Sequence, residues 1–124
     1  MKNVKLIVRI LLGLGMVVFG LNKFLNFMPM PEVTPEMGSW MGALMATGFI
    51  MQLVAVIEIA TGLMFLINKY VSLSLVVLLP VMVIAFLSHL VLDIAGIGGS
   101  AVFLLFIILM MVWNKESYKD VLKA

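Results

Sequence analysis

Four apolar runs, each close to the length of a bilayer crossing, constrain this chain more than any other feature. They cover residues 4–25, 48–67, 71–92 and 97–113. A hydrocarbon core about 30 Å thick takes about 20 apolar residues of helix. Backbone N–H and C=O groups have no water partners in lipid, so a spanning run must satisfy them internally, as a helix does. The expected fold is therefore an all-α integral membrane four-helix bundle. The bulk composition agrees: 65% of residues are hydrophobic, 11% are charged, and the mean hydropathy is +1.27. Soluble domains carry about 45–50% apolar and 25% charged residues. All 124 residues read as a single membrane domain, with a short cytoplasmic tail at 114–124.

Composition also removes whole classes of chemistry. The chain has no cysteine. It therefore makes no disulfide and offers no thiolate to zinc or to an iron–sulfur cluster. His89 is the one histidine, and no G-x-S-x-G elbow is present for a hydrolase nucleophile. The net charge of +2 is small and its basic residues are scattered, which argues against nucleic acid. The chain is not expected to be catalytic alone, and no metal site is expected.

Between the first two spans lies Met28-Pro-Met-Pro-Glu-Val-Thr-Pro35, read as a rigid external loop because so many prolines oppose a helix. Residues 36–47 follow. They are apolar but carry Gly38 and Gly42, and read as a short interfacial or re-entrant helix or as an extension of the second span. Trp40 suits the headgroup boundary. The fourth span is the least certain at its start, because Gly98, Gly99 and Ser100 also suit a loop. The basic N-terminus followed by an apolar run imitates a signal peptide. No A-x-A-like cleavage site follows, so it reads as an uncleaved span.

Orientation follows from the basic residues. With the N-terminus inside, Lys2, Lys5, Arg9, Lys69, Lys115, Lys119 and Lys123 face the cytoplasm and only Lys23 faces outward. Such asymmetry sets topology. Both termini are thus expected in the cytoplasm. A near-repeat, Phe19-Gly-Leu-Asn-Lys-Phe24 and Phe65-Leu-Ile-Asn-Lys-Tyr70, admits a duplicated hairpin. The plainer reading is that Asn and Lys each end a helix well.

In order and spacing the chain resembles the DoxX-like family of small bacterial membrane proteins. The resemblance rests on Arg9 with Leu12-Gly13, Phe19 to Phe24, Phe27-Met-Pro-Met-Pro31 and Ala46-Thr-Gly-Phe49. It continues through Glu58 with Gly62-Leu63, then Leu79-Pro80 and Phe86-Leu-Ser-His89. It implies a four-helix inner-membrane protein without a settled activity. Relatives are linked to quinone-coupled sulfur oxidation and to oxidative-stress complexes in the membrane.

Glu58 is the leading candidate for a ligand or proton site. A carboxylate near the bilayer middle must be paired or protonated, and the alternative role is a structural pair that holds register. It lies on a stripe with Met51, Ala55, Gly62 and Phe65. Arg9, Gly13, Met16, Gly20 and Lys23 form the matching stripe of the first span. Taking the ends of the two apolar runs as level places Arg9 about 6 Å in depth from Glu58, at 1.5 Å per residue, so the expected partner of Glu58 is Arg9. His89 and Asp93, at i and i+4, share one helix face. They suggest proton exchange or headgroup recognition, and Lys23 is expected in the same polar layer. The alternative is a satisfied interfacial histidine. Met28 and Met30, with Met37, Met41 and Met45 on one helix face, raise copper, though methionine is also an ordinary apolar filler. Pro80 is expected to kink the third span.

Three function classes remain. The first is an accessory subunit of a membrane redox system that binds quinone or another lipid, quinone being the one cofactor the resemblance admits. The second is a structural or assembly protein without a ligand. The third is a small carrier for protons or a hydrophobic solute, acting as a homo-oligomer. Expected partners are the lipid bilayer and a membrane or peripheral redox protein.

Overall fold

A computed structural model of the protein describes residues 2–25 and 33–122. Four long apolar helices dominate it: α1 (Lys2–Leu25), α3 (Ile50–Ile67), α4 (Val71–Leu92) and α5 (Ile97–Trp113). A shorter helix, α2 (Pro35–Ala46), precedes α3, and a last short turn of helix, α6 (Lys119–Leu122), closes the chain. No strand occurs among the described residues. The four long helices are each long and apolar enough to cross a membrane. The start of α5 resolves the doubt over Gly98, Gly99 and Ser100, which are helical. A 3₁₀ turn, Ile94–Gly96, leads straight into α5.

The helices alternate in direction around a core of Leu12, Met16, Phe65, Leu75, Leu78 and Ile107, drawn from all four spans. Outside this core the large side chains are apolar and exposed, among them Leu53, Val56, Leu73, Val91, Leu105 and Val112. Water would not tolerate such a surface, whereas lipid tails do. This is a multi-pass membrane protein whose outer faces contact lipid.

Pro35 does not belong to a loop. It is the first residue of α2, where its missing N–H costs nothing and its φ suits a helix. Thr34 caps that helix by accepting from Met37 N at 3.2 Å. The Thr34 hydroxyl also donates to the Leu92 carbonyl, tying the start of α2 to the end of α4. Nor is α2 an extension of α3. Gly48 sits at φ +81, a conformation a side chain resists, and breaks the two helices apart. The Thr47 hydroxyl accepts from Ile50 N at 3.1 Å across that break. Twelve residues of helix reach about 18 Å, too short for a crossing.

One end of the bundle gathers the basic residues. Arg9 donates to the Phe65 carbonyl at 2.5 Å, and Lys5 lies 5.8 Å from the Trp113 ring centroid. Tyr118 donates its hydroxyl to the Ser72 carbonyl at 2.8 Å. These contacts bring together the start of α1, the α3–α4 turn and the end of α5. Burial pushes the Tyr118 phenol up from its ordinary value, against the pull of the Ser72 hydrogen bond. The tail is therefore folded onto α4 rather than trailing free.

Candidate functional site

Helices α1 and α3 pack closest where both carry glycine. A Cβ on Gly62 would meet the Gly13 carbonyl at 2.8 Å, and one on Gly20 would meet the Ala55 carbonyl at 3.0 Å. Small residues allow this approach and bring the polar stripes of the two helices face to face. Glu58 is buried at their contact. Its partner is Lys23, with Nζ 2.6 Å from Oε1, and the two side chains are 26% and 3% exposed.

The expected pair of Glu58 with Arg9 does not form, and register explains why. Arg9 lies opposite Phe65, so Glu58 stands seven residues away along α3, about 10.5 Å rather than 6 Å. Direction adds to the distance. Cα–Cβ bonds tilt toward the N-terminus of their own helix. In antiparallel helices, Lys23 and Glu58 therefore lean toward each other, while Arg9 and Glu58 lean apart. The Arg9 guanidinium instead satisfies a carbonyl in the last turn of α3, where a cation also suits the helix dipole.

Lys23 pairs with Glu58, and no ion pair joins it to Asp93. His89 and Asp93 both border Gly96, at the far end of α4. The His89 ring lies against Gly96 of the 3₁₀ turn. A Cβ there would be 2.8 Å from Nδ1, 2.9 Å from Cε1 and 3.9 Å from Asp93 Oδ2. Nδ1 is buried and has no hydrogen-bond partner among the described residues. Asp93 is 5% exposed and has no cation within ion-pair distance among them. Next to this corner a groove of about 260 Å³ opens between α2 and α4. It is lined by Trp40, Ile84, Leu87, Ser88, Val91 and Leu92. No sequence spacing announced Gly96 as a wall of the histidine site, because a helix break separates the two residues.

The other candidates separate. Met37, Met41 and Met45 share a face of α2 as expected, but that face runs from buried Met37 through half-buried Met41 to exposed Met45. Met28, Met30 and Glu32 lie outside the described residues. No three His, Asp or Glu side chains gather among the described residues. Helix α4 runs through Pro80, which is exposed and cannot donate to the Val76 carbonyl. The near-repeat splits in two. Asn68 ends α3 in the left-handed conformation, at φ 58, as the capping reading expects. Asn22 is instead buried inside α1, so its copy is not a cap. Tyr118 and Ser74 were not singled out in the sequence, since each looks like one more residue of a tail or a span.

Comparison with known proteins gives one family. The family model described as DoxX matches residues 4–91, more than half of the chain, from α1 to nearly the end of α4. No curated protein matches the chain. No solved structure matches it either.

Proposed function

The chain belongs to the DoxX family, and from that premise we propose that it is a non-catalytic accessory subunit of a membrane redox system that binds a quinone-type lipid between α2 and α4. One observation carries the reading: the buried Nδ1 of His89 has no partner among the described residues, and the preceding residue of α4, Ser88, lines an apolar groove. A buried polar atom left unsatisfied costs about 1–3 kcal/mol, and a ligand that pairs with it recovers that cost. In this reading Trp40 and Leu87 enclose the ring and the start of its tail, and the His89 imidazole turns from Gly96 toward the groove so that Nδ1 donates to a quinone carbonyl. Gly96, with no Cβ, leaves the imidazole its room. A bound quinone supplies two-electron redox chemistry; the chain supplies the slot and the hydrogen bond.

Lipid mass spectrometry of the gently purified protein tests this. Wild type should carry quinone. His89→Ala should bind it about tenfold more weakly, the worth of about 1.4 kcal/mol of hydrogen bonding. Gly96→Ala should do the same by displacing the ring, since the new Cβ meets Nδ1 at 2.8 Å. A quinone-free wild type that still carries other lipids, or retention in both variants, would sink the reading.

A second reading has its own support. Glu58 is neutralised by Lys23 inside a tight helix contact, as a purely structural bundle requires. Under that reading neither His89 nor Gly96 matters for quinone retention. Asn22 and Asn68 occupy unlike positions, which removes support for a duplicated hairpin within the chain.

We place the basic end of the bundle in the cytoplasm of an inner membrane. Gathering Lys2, Lys5, Arg9, Lys69, Lys115 and Lys119 at one end supports it. Single cysteines at Val33 and Lys119, probed in intact cells with an impermeant thiol reagent, should label only at position 33. The opposite pattern would invert the topology.

A further inference from the structure

We propose that the turn between α3 and α4 is a binding site for an anionic phospholipid, with its phosphate at Lys69 and one acyl chain in the adjoining groove. This site lies at the opposite end of α4 from His89 and does not rest on the quinone reading.

The groove runs between α3 and α4 and has a volume of about 340 Å³. Ala60, Thr61 and Met64 form one wall, and Leu73, Ser74 and Val77 form the other. Tyr70 stands at its mouth, fully in the turn, with its side chain exposed. The lining is almost wholly apolar, as an acyl chain needs. What distinguishes this groove from ordinary lipid-facing surface is the polarity at its mouth.

Three groups around Tyr70 and the start of α4 suit a phosphate, with Lys69 next to Tyr70 in the turn and outside the groove's lining. Lys69 is exposed and makes no ion pair among the described residues. The first turn of α4 has no side-chain cap and no acidic residue, so its free N–H groups remain for an outside acceptor. Ser74 is only 5% exposed, lines the groove, and its hydroxyl makes no hydrogen bond among the described residues. The matching hydroxyl across the groove, that of Thr61, is already spent on the Ile57 carbonyl at 2.7 Å. Ser74 is therefore the donor left over at the groove's polar end.

The turn holds these groups in fixed relation. Asn68 and Tyr70 both take positive φ, at 58 and 53, and the Lys69 N–H is bonded to the Met64 carbonyl at 3.0 Å. A short turn pinned at three successive residues presents Lys69 beside the start of α4. The charge selects the headgroup. A lysine near the membrane surface favours an anionic over a zwitterionic lipid, by about fivefold for one cation. Free phosphate meets the same donors but gains nothing from the groove.

Native mass spectrometry in detergent tests the site, with phosphatidylglycerol and phosphatidylcholine of identical chains added in turn. Wild type should bind phosphatidylglycerol about fivefold more tightly than phosphatidylcholine. Lys69→Gln should erase that preference, weakening phosphatidylglycerol more than phosphatidylcholine. Ala60→Phe, which fills the groove, should weaken both lipids. Lys115→Gln, another exposed cation at the same end, should change neither. Equal losses in Lys69→Gln and Lys115→Gln would mean diffuse attraction to a basic surface and would overturn the proposal. So would displacement of the lipid by inorganic phosphate at equal concentration, because the chain would then contribute nothing. Quinone retention by Lys69→Gln, measured on the same samples, separates this outcome from the fate of the His89 site.

Discussion

Lys23→Met is expected to destabilise the protein by about 3–5 kcal/mol, the cost of leaving a buried charge without its partner. Glu58 is the member with no escape: its side chain is 3% exposed, against 26% for Lys23. Glu58→Gln should cost less, about 1 kcal/mol, because the lysine stem is long enough to carry its ammonium to the polar boundary. The double variant Lys23→Met with Glu58→Leu should recover most of the loss, since a well-packed apolar pair replaces a desolvated ionic one. Equilibrium unfolding in mixed micelles measures all three. A Lys23→Met protein as stable as its parent would show that the pair contributes nothing. Arg9 provides the contrast. Arg9→Gln removes a charged hydrogen bond to the Phe65 carbonyl, worth about 1.5–3 kcal/mol. Combined with Glu58→Gln its effect should simply add, because the two residues share no partner.

Gly62→Leu should prevent the close approach of α1 and α3. A Cβ at position 62 would already meet the Gly13 carbonyl and Val17 Cγ2 at 2.8 Å, and Val17 N at 3.0 Å. Two of those atoms are backbone, which cannot turn aside as a side chain can. Overpacking of this kind costs about 1–3 kcal/mol, and here separating the helices also strains the Lys23–Glu58 pair, so the upper end is expected. Gly99→Ala is the control. Nothing lies within 4 Å of a Cβ there, and replacing a helical glycine by alanine should stabilise by about 0.5–1 kcal/mol. If Gly62→Leu and Gly99→Ala unfold at the same denaturant concentration, the glycine contact is not what holds the pair of helices together.

Fold was legible because lipid imposes a strict rule on the chain. Residues 71–92 and 97–113 read as spans from their apolar length alone, and α4 and α5 occupy those residues. The start of α2 was not legible. Prolines count against a helix interior, yet Pro35 stands at the one position where a helix welcomes it. The stripe of Gly13, Gly20, Ala55, Glu58 and Gly62 was also legible, since small and charged residues at helical spacing have no reason to face lipid. That both stripes meet at the α1–α3 contact follows from this pattern.

Which residues pair within that contact was not legible. Periodicity tells which face of a helix is buried but carries no information on how far one helix slides along another. Only close packing decided it: the glycine contacts lock α1 and α3 where Arg9 opposes Phe65, and the inward lean of the side chains then hands Glu58 to Lys23. His89 and Gly96 likewise meet only because the chain turns between α4 and α5. Membership of the bilayer, the number of helices and their polar faces follow from apolar length and 3.6-residue spacing, which are properties of each segment by itself. Register, ion-pair partners and the two grooves depend on contacts between segments, and those are set by packing that no single segment encodes.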